Sequence, residues 1–325
     1  MNIAIMGATS HIAKGLIDRF LHKGVDHLYL FARSADKIQN FLTAIGASGN
    51  DHYTICTNYR AFLSFSYDVI LNCVGVGTLN KHRGDYTAYF MVTEEFDNLA
   101  IGYLCKKRPH ALYVSFSSGA VYGREHSAPV EENSVNRVNV NRIAPQDYYA
   151  IVRLNAEAKH RAYHRLNIID LRVFSYFSRF IDLADGYFIT EVLNCIRSRK
   201  VLVTDRENMV RDYLHPDDLF SMIQRCMDAG TINAAFDAVS SKPIEKQEIL
   251  DYFSSVYGLK YQTGPSLGNG SATGSKTIYC SMSKAASKIG YHPKFSSLDA
   301  IRDESKHILS PLEEGNASVL AGKGI

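Results

Sequence analysis

The chain has 325 residues, about two domain-lengths at ~150 residues each. Hydrophobic residues make up 46% and charged residues 21%, and 36 Lys plus Arg against 33 Asp plus Glu leave a net charge of +3. These values exclude a disordered chain and the strong basic bias of a nucleic-acid binder, but not an anionic small molecule held by a few local cations. The chain lacks Trp and carries 20 Tyr, and composition does not say whether any of them does chemistry.

The elements follow in chain order. Met1 to Met6 is a short apolar run ending at Gly7, bounded like a buried strand. Residues 12–23 carry Ile12, Leu16, Ile17, Phe20 and Leu21 at helical spacing. His27 to Ala32 reads as a second strand, and Ser34 to Ile45 as a helix with Ser34 at its N-cap. Tyr67 to Val76 and Ala111 to Phe116 read as buried strands, with a helix between them from about Tyr86 to Lys107. Tyr148 to Leu166 is a further helix and Ile168 to Phe174 a further strand. Strands alternating with helices predict right-handed βαβ units and a parallel sheet. After about residue 175 the rhythm loosens: short strands at Val201 to Thr204 and Ala235 to Val239 sit among helices at 187–197, 217–228 and 245–257. The stretch 264–275 is rich in Gly and Ser and reads as a mobile loop. The tail beyond Pro311 reads as frayed.

The six cysteines show no CxxC spacing, which predicts free thiols in a reducing compartment. The N-terminus carries no signal-peptide pattern. No apolar run reaches the ~18 residues of a membrane span. A cytoplasmic protein without membrane, nucleic-acid or metal partners is expected.

A strand, then Gly7-Ala8-Thr9-Ser10-His11-Ile12-Ala13, then a helix is the setting of a phosphate-binding turn. Gly7 permits the tight turn, and the helix start offers free N–H groups and a positive dipole end. Ser10 and Ala13 replace the second and third glycines of such a fingerprint. Ala13 is a mild change; Ser10 is a larger one, because backbone must approach phosphate there. At the end of the second strand no acid stands ready for a ribose 2′-hydroxyl, while Arg33 and Lys37 do. A guanidinium suits a 2′-phosphate, which favours NADP(H) over NAD(H).

The run Val114-Ser115-Phe116-Ser117-Ser118-Gly119-Ala120-Val121-Tyr122-Gly123 leaves a buried strand directly into hydroxyl-bearing residues. Tyr149 and Arg153 then lie four apart on one helical face. A fixed positive charge beside a phenol favours the phenolate. Ser118 could therefore hold a carbonyl or carbinol oxygen while Tyr149 moves the proton.

At these residues the chain resembles the extended short-chain dehydrogenase/reductases of the nucleotide-sugar epimerase/dehydratase/reductase group, from Met1 to about Ile308. The most specific segment is Arg211-Asp212-Tyr213-Leu214-His215-Pro216-Asp217-Asp218-Leu219. Ser117 to Gly123, Leu171-Arg172-Val173-Phe174, and Ser283-Lys284-Ala285 with Ile289-Gly290-Tyr291-His292-Pro293 agree with it. The resemblance implies a Rossmann-type doubly wound α/β domain over 1–174, a smaller C-terminal α/β substrate domain over 175–310, and a flexible tail over 311–325. It implies Ser118 as catalytic hydroxyl, Tyr149 as acid/base, and Arg153 where relatives carry a lysine that binds the nicotinamide ribose and assists the tyrosine. Cofactor contacts are expected from Gly7, Thr9, Ser10, His11, Ile12, Arg33, Ser34, Lys37, Val74, Gly75, Tyr149 and Arg153. Substrate contacts are expected from Ser118, Ser175 and Arg211, the last toward a diphosphate. Asp212, Asp217 and Asp218 read as a helix start and structural acceptors.

Three departures bear on function. Arg153 keeps the charge but changes a compact ammonium into a planar fork. Ser175 stands where many relatives have Asn. Gly119 and Ala120 replace the Asp-Glu pair with which the group's 4,6-dehydratases eliminate water, which argues against a dehydratase. The reading is an NADPH-dependent reductase of a 4-keto nucleotide sugar. The alternatives are an epimerase with tightly bound cofactor and a non-catalytic dinucleotide sensor. The resemblance implies a homodimer through the helices near 86–107 and 148–166; Tyr89, Phe90, Phe96 and Leu99 fit that face or packing on the sheet equally.

Overall fold

Seven parallel strands form the central sheet of the computed structural model, which describes residues 1–24, 26–76, 85–123, 128–264 and 277–310. They are β1 (Asn2–Met6), β2 (His27–Phe31), β3 (Tyr53–Cys56), β4 (Val69–Asn72), β5 (Leu112–Ser118), β6 (Ile168–Val173) and, later in the chain, β11 (Asn233–Ala238). Their spatial order is β11-β6-β5-β4-β1-β2-β3, with order reversing between β1 and β4. In such a sheet the crevice for a ligand opens at the carboxyl ends of the strands, at that reversal.

Side chains alternate across the sheet as the period of two requires. Ile3, Ile5, Leu28, Leu30, Val69 and Leu71 join one face with Leu16, Ile17 and Phe20 of α1 (His11–Lys23) and Ile38 and Leu42 of α2 (Ala35–Ala44). Ala4, Met6, Phe31, Ile70 and Tyr113 join the other with Ala100, Ile101 and Leu104 of α3 (Thr87–Lys106). The helix α4 (Tyr148–Ala162) packs beside α3. The sheet is thus covered on both sides, the Rossmann-type arrangement that the alternating pattern predicts.

Beyond β6 the chain builds a smaller layer and also returns to the sheet. The layer comprises β7 (Ser175–Tyr176), α5 (Phe188–Ser198), β8 (Leu202–Thr204), β9 (Val210–Arg211), β10 (Tyr213–Leu214), β12 (Ile244–Glu245), α7 (Lys246–Tyr257), β13 (Tyr261–Thr263), β14 (Ile278–Tyr279) and α8 (Ser297–Leu309). Its core holds Phe177, Leu193, Tyr213, Ile249, Phe253 and Ile301. In contrast α6 (Pro216–Asp228) buries Leu219, Met222 and Ile223 on the first face of the main sheet. Residues 175–310 therefore supply one strand and one helix to the large unit.

Several boundaries differ from the sequence reading. The strand at 67–76 stops at Asn72, because the Asn72 Oδ1 accepts the Val74 N–H at 3.2 Å and turns the chain. The helix from Tyr148 ends at Ala162 rather than Leu166. Neither β3 nor α8 is anticipated. β3 is a four-residue edge strand with three half-buried positions, too short to show alternation. The loop at 264–275 after Gly264 and the tail over 311–325 lie outside the described residues. No described helix is long and apolar enough to cross a membrane, and all six cysteines are free.

Candidate active site

Parallel pairing brings the ends of β1, β4 and β5 to one edge of the sheet. Gly7 follows β1 with φ +71°, in the left-handed region. A Cβ there would also lie 3.0 Å from the Cys73 carbonyl carbon and oxygen, so both backbone and space demand glycine. Ser10 has φ −74°, ordinary for any residue, and its hydroxyl accepts the Ala13 N–H at 3.4 Å as the N-cap of α1. The Lys14 N–H bonds the Ser10 carbonyl. Among the described residues no intrahelical or capping bond uses the N–H groups of His11 and Ile12, which leaves them at the helix start, where backbone donors suit an anion.

The His11 side chain does something else. Its Nε2 lies 2.8 Å from Ser178 Oγ and its ring 4.8 Å from the Tyr176 ring. Burial lowers its pKa to about 3, so it offers no cation to a phosphate. Ser34 likewise spends its hydroxyl on the Lys37 N–H at 3.3 Å, capping α2. Arg33 and Lys37 are exposed at this end of β2. Lys14, one turn into α1, has its ammonium 5.7 Å from the Phe41 ring centroid. Burial and the nearby Lys37 charge hold its pKa below the ordinary range, and Asp182 opposes them. Tyr59 is absent from the sequence-based site: its hydroxyl takes the Gly7 N–H at 3.1 Å and donates to the Phe31 carbonyl at 3.1 Å. Burial raises its pKa to about 12, so it keeps its proton.

Across the crevice, α4 carries Tyr149 and Arg153. The Arg153 guanidinium carbon is 5.3 Å from the Tyr149 ring centroid, which realises the i, i+4 pairing. Arg153 is 9% exposed, and its Nε is buried without a hydrogen-bond partner. Its Nη2 lies over Gly75, where a Cβ would approach to 2.8 Å. Val74 and Gly75 thus meet Gly7 on one side and Arg153 on the other. Tyr149 itself is half-buried, its ring 5.5 Å from that of Tyr89.

Ser118 ends β5, buried, and its Oγ accepts the Ala120 N–H at 3.2 Å. The same Oγ lies 2.9 Å from the hydroxyl of Tyr279, a residue of β14 that sequence reasoning missed. Tyr279 pairs in register with Arg211 of β9. Arg211 donates to the carbonyls of Val210 at 2.9 Å and Thr277 at 3.4 Å, and no carboxylate bridges it among the described residues. Burial holds its pKa below the usual guanidinium range, the condition of a cation short of counter-charge. Ser118, Tyr279 and Arg211 are therefore brought together. Ser175 opens β7 opposite Tyr213, and no hydrogen bond joins it to Ser118 or Arg211 among the described residues. Phe174, just before it, covers Gly119: a Cβ there would lie 2.4 Å from the ring.

Two buried polar clusters hold α4 in place. Glu157 accepts from Ser117 at 2.6 Å and from the Arg172 guanidinium at 2.6–3.1 Å. Arg172 also donates to Tyr122 at 2.7 Å, and Tyr122 to Asp237 at 3.0 Å. Farther along, His160 sits between Asp170, 2.8 Å from Nδ1, and Asp97, 2.6 Å from Nε2. The acids of the 211–219 segment are structural, as the sequence implies. Asp212 accepts the Ser240 N–H at 2.9 Å, Asp217 pairs with Arg19 at 2.9 Å, and Asp218 accepts the Lys294 and Phe295 N–H groups. Burial raises the Asp212 pKa to about 6.

A parallel sheet of this order, with a glycine turn after β1 and helices on both faces, defines a Rossmann-like α/β protein. The chain belongs to the NAD dependent epimerase/dehydratase family, whose family model matches residues 3–237. Among solved structures it is similar to a UDP-glucuronic acid 4-epimerase from Bacillus cereus in complex with UDP-glucuronic acid and NAD. That likeness has a TM-score of 0.78 at 17% identity, over 95% of this chain and 99% of the other. It is also similar to a UDP-glucose-4-epimerase from Stenotrophomonas maltophila with bound NAD, at TM-score 0.78 and 14% identity over 95% and 98%. A dTDP-glucose 4,6-dehydratase from Streptomyces venezuelae with NAD follows at 0.75 and 14% over 94% and 96%. At these identities the likeness is one of fold. No curated protein sequence matches the chain.

Proposed function

We propose that the chain is an NAD(P)-dependent oxidoreductase of a nucleotide sugar, reducing a 4-keto group to the alcohol. What supports this reading is the Tyr149–Arg153 pair on α4 together with Ser118 at the end of β5, whose Oγ meets Tyr279, the register partner of Arg211. A nicotinamide dinucleotide fits the residues present: bare backbone at Gly7, helix-start N–H groups at His11 and Ile12, and a buried guanidinium at Arg153 with an unpartnered Nε. When bound, the cofactor supplies the hydride. Ser118 donates a hydrogen bond to the keto oxygen, and Tyr149 gives that oxygen its proton as the carbinol forms. Arg153 holds positive charge beside the phenol and toward the cofactor ribose. Arg211 offers its charge to the substrate diphosphate.

A dehydratase is disfavoured on the same edge. Elimination of water needs an acid and a base beside the hydroxyl. Gly119 has no space for a side chain beneath Phe174, and Ala120 has no titratable group. The preference for NADP(H), carried by Arg33 and Lys37, belongs to this proposal, as do a homodimer through α3 and α4 and a reducing, cytoplasmic setting for the free thiols. Tyr89, Phe96 and Leu99 pack within their own chain, so the apolar surface left to a partner includes Met91 and Leu154.

The epimerase reading is favoured by the epimerases among the similar structures, including the two described above with NAD bound. The test is a thermal-shift panel of NAD, NADP and UDP-, GDP-, CDP- and dTDP-sugars, followed by turnover. A reductase consumes NADPH stoichiometrically; an epimerase turns over without net consumption. Tyr149→Phe lowers either activity by about 10²–10⁴-fold. Cofactor binding without turnover on any sugar, or full activity in Tyr149→Phe, refutes the proposal.

A further inference from the structure

Among the described residues Tyr279 is the side chain hydrogen-bonded to Ser118, and it is also the register partner of Arg211. It is 4% exposed, its ring 5.1 Å from that of Phe174. A serine hydroxyl has one proton and two acceptor sites. One acceptor site of Ser118 takes the Ala120 N–H at 3.2 Å, an N–H that also reaches the Tyr279 hydroxyl. The partner at 2.9 Å is the Tyr279 phenol, and either hydroxyl can donate across that contact. Burial raises the Tyr279 pKa above the ordinary phenol range, so the proton stays on the phenol at neutral pH.

We propose that Tyr279 is a positioning residue, donating its hydroxyl hydrogen bond to Ser118 Oγ so that the serine proton is turned toward the substrate oxygen. With both acceptor sites filled, Ser118 has only donation left. A keto oxygen accepts such a bond, and a developing alkoxide accepts it more strongly because it carries more negative charge. The pair thus favours the reacting state over the ground-state ketone, and differential stabilisation of this kind raises rate rather than affinity. The placement comes from the ladder: β14 pairs with β9, so the strand that fixes Arg211 also fixes the Tyr279 hydroxyl.

This inference rests on the function proposed above, and the test separates the two. The probes are UDP-glucose, UDP-glucuronic acid and dTDP-glucose with NAD and NADP, read by nicotinamide absorbance and by product analysis. Tyr279→Phe removes one oxygen and keeps the ring. The expected result is a kcat lower by about tenfold, KM within about twofold, and an unchanged cofactor-induced thermal shift. In the Ser118→Ala background the same substitution costs nothing further, because its effect passes through Ser118. If the phenylalanine variant does not fold, Tyr279→Leu is compared in the same two backgrounds.

Losses that multiply in the double variant overturn the inference. So does an unchanged or faster Tyr279→Phe, which would mean that the phenol merely stands where the substrate oxygen goes. If Ser118→Ala alone leaves activity intact, or the unmodified chain turns over no probe, the functional reading fails and this inference with it.

Discussion

The buried imidazole of His160 gives the sharpest test of how α4 is held. It is fully buried, and two carboxylates face it, Asp97 from α3 and Asp170 from β6. Lys159 also pairs with Asp97, and Arg161 with Asp170 at 2.9 Å. Burial opposes charge on the ring, but the hydrogen bonds and charges of Asp170 and Asp97 outweigh it and raise its pKa from 6.5 to about 9. The folded state therefore binds this proton more tightly than the unfolded state. The stabilisation is complete below pH ~6.5 and is lost as pH rises through ~9. Its full size is about 3 kcal/mol, of which about 2 kcal/mol disappears between about pH 7 and about pH 8.5. With an unfolding entropy of ~2.1 cal/mol/K per residue, that loss lowers Tm by about 3 °C. Thermal unfolding across this interval shows the decline in the unmodified chain. His160→Gln, which cannot carry the charge, lowers stability by about 3–5 kcal/mol at neutral pH and flattens the slope. An equal slope in both proteins, or an NMR titration of His160 near the ordinary histidine value, refutes the argument.

The remaining expectations concern single side chains. Gly7→Ala forces a Cβ onto the Cys73 carbonyl at a left-handed φ; denaturant titration should show a loss of about 1–3 kcal/mol, and the cofactor-induced thermal shift should vanish. Arg172→Ala strands Glu157, which is 5% exposed, without its fork of hydrogen bonds. The expected cost is about 3–5 kcal/mol in unfolding free energy, with Arg172→Lys intermediate because charge remains while the bidentate geometry is lost. Arg33→Ala should weaken NADP far more than NAD by calorimetry, since only NADP presents the 2′-phosphate; equal losses would remove Arg33 as its ligand.

Much of the fold was legible in the chain because its signals are local. The apolar runs around Ile3, Leu30 and Val114 and the helical spacing from Ile12 to Leu21 lie within windows of a few residues. So do the Ser34 cap, the glycine turn and the Tyr149–Arg153 pair, since neighbours on one helical face are fixed by the helix itself. β3 was hidden because an edge strand only half in contact with its neighbours needs no strong alternation.

What the sequence could not decide is how distant segments meet. Register across the parallel ladders brings Gly7 to Cys73, and the fold of α4 against the sheet brings Gly75 to Arg153. That position 119 carries no acid is plain in the sequence, but the Phe174 ring that leaves no room for one there is seen only in the structure. Tyr279 looks like any other of the 20 tyrosines. It becomes the partner of Ser118, 161 positions away, only because β14 closes against β9. Local sequence determines which element forms and which face is apolar. The chemistry of the edge depends on contacts that no window of the chain contains, and only the tertiary structure decides them.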